Sequence, residues 1–201
     1  MDGVLIDAKD WHYEALNRAL GLFGYGISRV DHLTTFDGLT TKKKLEILSL
    51  ERGLPRGLRT FLNDLKQVYT TEITHQKCKP VFAHEYALAK LKGVGYKLAV
   101  ASNSVRATVE LMMEKSDLRQ YLDLLLSNQD VLRAKPDPEM YTIAAQRLGV
   151  DPVACLVVED NPHGIKAAEA AGCSVLVVHS TEDVNLANIQ AAIRRAEARA
   201  D

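Results

Sequence analysis

Three stretches of this chain end an apolar run in residues able to do chemistry on an anion. Ser102-Asn103 closes the run from Lys97 to Ala101, Glu159-Asp160 closes the run that begins at Cys155, and Lys135-Pro136-Asp137-Pro138 follows shortly after residues 124–128. A hydroxyl, an amide, an ammonium and adjacent carboxylates converging on one crevice suit an oxyanion held by Ser102 and Lys135. A hard cation such as Mg²⁺ would then be held by carboxylates, with room left for a phosphate oxygen and water. Each group alone has a plainer use: Ser102 as a helix N-cap, Lys135 as a surface cation, Glu159-Asp160 as two caps ahead of Pro162. Their shared position favours a site, because ligands of open α/β sheets bind beyond the carboxyl ends of the strands.

The elements that carry these groups can be read from periodicity. Residues 97–102, 124–128, 155–160 and 174–178 are short, nearly continuous apolar runs. Between them lie helical patterns, one with Val109, Met112 and Met113 on a face, another from Pro162 through Ala171 with Gly172 just past its end. Strands without apolar–polar alternation are covered on both faces, so the expected fold is α/β, a doubly wound parallel sheet. Residues 10–80 read differently. Three apolar sets (Ala15, Leu16, Ala19, Leu20 and Leu22; Leu45, Ile47, Leu48 and Leu50; Phe61, Leu62, Leu65, Val68 and Tyr69) recur at helical spacing between glycine- or proline-containing turns. This predicts a helical insertion over residues 10–80, with residues 1–9 and 81–201 forming the α/β domain. The last segment, residues 185–199, puts Leu186, Ile189, Ile193 and Ala196 on one face, and its Arg194, Arg195 and Arg199 are expected on a solvated one.

Composition limits the functional classes. With 25 Lys+Arg against 26 Asp+Glu among 201 residues, the net charge of −1 argues against nucleic acid as a partner. No apolar run approaches the roughly 20 residues that span a bilayer, and no signal-peptide pattern opens the sequence, so no membrane partner and a cytoplasmic location are expected. Cys78, Cys155 and Cys173 have no metal-type spacing and are expected as free, packed thiols. Oligomeric state is left open between monomer and homodimer.

The opening Asp2-Gly3-Val4-Leu5 makes the pattern specific. Together with Ser102-Asn103, Lys135-Pro136-Asp137-Pro138 and Glu159-Asp160-Asn161-Pro162-His163-Gly164-Ile165, it resembles the haloacid dehalogenase superfamily. The resemblance is to the branch of β-phosphoglucomutase-like and phosphoglycolate-phosphatase-like enzymes, which carry a helical cap between their first two motifs. It implies a Rossmann-like core with that cap, and a Mg²⁺-dependent phosphatase acting on a small phosphomonoester such as a sugar phosphate. A sugar phosphomutase and a non-catalytic phosphate-ligand-binding relative are the alternatives. Position by position, the resemblance makes Asp2 the general acid/base. It places Gly3, Ser102, Asn103 and Lys135 around the phosphoryl group, and Asp2, Glu159 and Asp160 on the metal side. His12 falls at the hinge into the cap, and Gly38-Leu39-Thr40-Thr41 falls on the cap's substrate loop, with Thr41 where the mutase has a base. Lys42, Lys43 and Lys44 read as a solvent-facing run.

One departure stands out. The family's attacking carboxylate lies two residues before the acid/base aspartate, at the end of a central strand. Met1 stands between those two positions, so the nucleophile and its strand are expected upstream of Met1. A shortened start would explain this, with roughly eight to ten residues preceding Met1, a typical strand length. A degenerate binding protein, or another segment filling the strand position, would also fit.

Overall fold

The computed structural model describes residues 1–200, and side chains through residue 198. The chain divides into two units, one formed by residues 8–78 and the other by Met1–Asp7 with the residues from Lys79 onward.

In residues 8–78 the apolar periodicity becomes α1 (Lys9–Gly21), the single turn α2 (Arg29–Asp31) running into a π-helical turn at His32–Phe36, α3 (Thr41–Glu51) and α4 (Arg59–Lys77). Leu16, Ala19 and Leu20 of α1 meet Phe36, Leu45, Leu48 and Leu62 in one buried cluster, which is what the spacing of three and four residues requires. Polar side chains set the turns. The Asn17 amide donates to Ile27 O at 2.9 Å and its oxygen accepts from Ile27 N at 2.9 Å, fixing the return of the loop after α1. Ser28 and Thr40 cap the next two helices, accepting from Asp31 N and Lys43 N.

The basic run at the start of α3 behaves in two ways. Lys42 and Lys43 are exposed, as a charged helical face would be, whereas Lys44 is buried. The cause is phase: Lys44 shares the inward face with Leu45 and Leu48.

The other unit is built on four parallel strands, β1 (Ala99–Ala101), β2 (Leu124–Leu126), β3 (Leu156–Glu159) and β4 (Ser174–Val177). Strand β1 pairs with β2 in the register Ala99↔Leu124, and β3 with β4 in the register Leu156↔Ser174. The expected sheet is therefore two parallel pairs. Helices α5 (Phe82–Gly93), α6 (Arg106–Lys115), α7 (Glu139–Leu148), α8 (Pro162–Ala170) and α9 (Leu186–Ala200) pack around them. Tyr141 of α7 and Ala167 and Ala168 of α8 share a cluster with Ala101, Val157 and Val175, so small side chains on α8 bring that helix down onto the strands. Arg194 and Arg195 are exposed, and Arg199 lies outside the described side chains. No helix among the described residues is long and apolar enough to cross a membrane.

His32 gives the helical unit a pH dependence. It is 2% exposed, lies 5.0 Å from the Tyr13 ring, and neither ring nitrogen has a hydrogen-bond partner. Burial, then the Lys44 charge, lower its pKa to about 4. The folded chain thus excludes a proton that the unfolded chain binds below about 6.5. Its contribution is full above that value and is lost as pH falls toward 4. In urea unfolding, wild type should lose roughly 2–3 kcal/mol more between pH 7 and 4.5 than His32→Phe does; equal losses would refute this.

Candidate active site

Lys135 is the centre of the polar groups at the strand ends. Its ammonium donates to Ala101 O, the last carbonyl of β1, at 3.1 Å, and forms a hydrogen-bonded ion pair with Glu159 Oε1, at the end of β3. It also lies 4.6 Å from the centre of the Tyr141 ring, a cation–π contact. Lys135, Glu159 and Tyr141 are all buried. Tyr141 Oη donates to Glu159 Oε1 at 2.6 Å, and Asp160 N donates to Glu159 Oε2 at 3.2 Å. Both carboxylate oxygens of Glu159 are thus engaged by protein donors. Burial acts to raise its pKa, but the Lys135 charge, the amino-terminal charge of Met1 and the hydrogen bonds from Lys135 and Tyr141 outweigh it and hold the group below the usual carboxylate range. Burial and the neighbouring Glu159 charge push the Tyr141 hydroxyl far up, so it remains a donor.

The loop at Asp2 approaches the same strand ends. Asp2 Oδ2 accepts from Ser104 Oγ at 3.2 Å and, at the limit of hydrogen bonding, from Ser102 Oγ at 3.5 Å. Ser102 Oγ in turn accepts from Ser104 N at 3.1 Å, which folds the residues after β1 back on themselves. Asn103 ties that turn to the lysine's own loop: its oxygen accepts from Lys135 N at 3.2 Å and its amide reaches Lys135 O at 3.4 Å.

Two glycines make room for the acids. Gly3 has φ +72°, and a Cβ there would fall 2.1 Å from Asp160 Oδ2. A Cβ on Gly164 would fall 2.2 Å from the Glu159 carboxyl carbon, so α8 can start close beneath Glu159 only with glycine at that position. The acidic pair is therefore shaped from both sides by absent side chains.

Asp2, Gly3, Ser102, Asn103, Lys135, Glu159 and Asp160 all lie in the α/β unit, tied together by the contacts above. His12 and Thr41 lie in the helical unit. There His12 Nδ1 is 3.1 Å from the ammonium of the buried Lys66, and Thr41 is the first residue of α3. Ser104 and Tyr141 escaped the sequence reading. Ser104 directly follows the Ser102-Asn103 motif and carries no signal of its own in the sequence. Tyr141 lies six residues beyond Lys135, and only the hydrogen bond from its hydroxyl to Glu159 distinguishes it from a core aromatic.

Polar and charged groups collected at the carboxyl ends of parallel strands define an α/β enzyme class. Its family is shown by the sequence: residues 1–178 match the haloacid dehalogenase-like hydrolases, and the chain belongs to that family, a hydrolase of the phosphatase kind. It is 30% identical over 193 residues to the phosphorylated carbohydrates phosphatase of Thermotoga maritima, covering 91% of this chain and 85% of that one. It is 28% identical over 185 residues to hexitol phosphatase B of Escherichia coli K12, covering 92% and 83%. Among solved structures, β-phosphoglucomutase from Clostridium difficile superposes with a TM-score of 0.85 at 20% identity, covering 98% of this chain and 96% of that one, a likeness of fold.

Gly3→Ala should lower phosphatase turnover on the order of 10²-fold by displacing Asp160, with secondary structure retained. Glu159→Gln should instead cost stability, about 3–5 kcal/mol, because it leaves the buried Lys135 charge without its counter-ion. Steady-state kinetics and urea unfolding on both variants separate the two effects; the reverse pattern would overturn this division of roles.

Proposed function

We propose that the protein is a Mg²⁺-dependent phosphatase of small phosphomonoesters, sugar or polyol phosphates in particular. The observation that carries this reading is Lys135: a buried ammonium held between the ends of β1 and β3, with Ser102, Asp2 and Asp160 beside it. A phosphate dianion among carboxylates requires such a cation. The names of the two curated relatives, phosphatases of phosphorylated carbohydrates and of hexitol, support the substrate class.

The chain's own groups divide the work as follows. Lys135 and Ser102 bind the non-bridging oxygens of the transferred phosphoryl group. Asp2 protonates the leaving oxygen and then takes the proton of the attacking water, its carboxylate kept in place by Ser104 and Ser102. Glu159, with both oxygens already hydrogen-bonded, acts as the positioning residue for Lys135 and not as the metal ligand that the family resemblance implied. Asp160, with Asp2, would hold the cation. Among the described residues no group of three or more His, Cys, Asp or Glu side chains is gathered for a metal. Mg²⁺ takes one or two carboxylates and completes its shell with phosphate and water. The cradle at Gly3 supports it, since Asp160 Oδ2 occupies the space beside the Asp2 loop that a side chain at Gly3 would fill. When bound, the ion would neutralise phosphate charge in the transition state. In this reading the attacking group is the carboxylate that the family resemblance places two residues before Asp2.

A sugar phosphomutase is the second reading, favoured by one observation: Lys44 and Lys66 are buried in the helical unit. A bisphosphate intermediate needs a second cationic site, and these lysines could supply it where Thr41 does not. The deciding assay uses a panel of sugar and polyol monophosphates with the protein expressed from its complete reading frame, measuring phosphate release and isomer formation separately. Phosphate release should exceed isomer formation, fall to background with a chelator, and drop about 10²- to 10³-fold in Lys135→Ala. Isomer formed faster than phosphate would move the assignment to the mutase, and no turnover of either kind to a binding protein.

A further inference from the structure

Two thiols away from the phosphate-binding groups lie side by side. The register that pairs Leu156 with Ser174 extends one residue back to Cys155 and Cys173, where Ser174 N donates to Cys155 O at 3.0 Å. Neighbouring strands are spaced about 4.8 Å apart, within the range of roughly 4.4–6.8 Å between Cα atoms that a disulfide spans. Alternation along a strand turns Cys155 to the face of Val157 and Cys173 to that of Val175, and all four pack in the same cluster as Tyr141. Cys155 Sγ donates to Asp151 O at 3.4 Å. Cys155 is half-buried and Cys173 buried, so an oxidant meets Cys155 first.

We propose that Cys155 and Cys173 form a reversible disulfide, a modification site that staples the start of β3 to the start of β4. The staple closes the β3–α8–β4 segment, which carries Glu159 and Asp160. With a peroxide as oxidant, the Cys155 thiolate attacks one peroxide oxygen, the O–O bond breaks, and Cys155 becomes a sulfenic acid as the other oxygen leaves and takes a proton. The Cys173 sulfur then attacks the Cys155 sulfur, the S–O bond breaks, and the thiol proton leaves with that oxygen as water. For hydrogen peroxide the balance is two thiols and one peroxide giving one disulfide and two waters. Burial pushes both thiols up, Cys173 to about 11, so closure is slow near neutral pH and faster in alkali.

The test treats the full chain with hydrogen peroxide at pH 7 and pH 8.5, alkylates the remaining thiols, and maps tryptic peptides without reduction. Cleavage after Arg147, Lys166 and Arg194 puts Cys155 and Cys173 on separate peptides, with Cys78 as an internal control. The expected product joins those two peptides and lowers the free thiols from three to one. It should form faster at pH 8.5, revert with dithiothreitol, and raise Tm by several degrees, as a staple over a short loop does. Cys173→Ser should yield no internal cross-link, and Cys78→Ser should leave it unchanged. Linkage through Cys78, sulfinic acid at Cys155 without a cross-link, three thiols surviving prolonged treatment at pH 8.5, or a cross-link that leaves Tm unchanged would overturn the proposal.

Discussion

The buried pair of Lys135 and Glu159 is the constraint on which the rest of the α/β unit depends. Two charges withdrawn from water are tolerable only if their remaining hydrogen-bonding capacity is met, and here it is met by Ala101 O, Tyr141 Oη and the backbone of Asp160. Those partners come from the end of β1, from α7 and from the turn after β3. The pair therefore links the two parallel strand pairs electrostatically, at the carboxyl ends of the strands where Ser102, Ser104 and Asp2 also meet. A cation held in this way meets an incoming dianion without first being desolvated or reoriented, which is the physical content of preorganisation.

Shape complements charge around that pair. The acids occupy space that side chains at Gly3 and Gly164 would fill, and the alanine face of α8 brings that helix within contact of β3 and β4. Composition that looks merely permissive in the sequence is, in three dimensions, a requirement for close approach. The same close packing aligns Cys155 with Cys173. Cysteines 18 residues apart in the chain become neighbours because one strand–helix–strand unit separates them.

The helical unit obeys a different economy. Its core is apolar, yet its inward faces also carry His32, Lys44 and Lys66. Burying basic groups in so small a helical unit works against its stability, and His32 shows how the conflict is resolved, by staying neutral. Lys66 instead shares its position with His12.

Much of this was legible in the linear sequence because local physics wrote it. Apolar runs of three or four residues made the strands β1 to β4, three- and four-residue spacing made the helices of residues 8–78, and Pro162 with Gly172 bounded α8. The motif residues at the strand ends were visible for the same reason, since a strand's end is marked by the change from apolar to polar side chains. What only the tertiary structure decided were the relations across long sequence separations. They include Glu159 turned inward to Lys135 and Tyr141, Ser104 turned to Asp2, and Lys44 buried within a basic run. None of these leaves a periodic trace, because each depends on where a side chain meets a partner from another element, and that contact is fixed by packing and not by spacing along the chain.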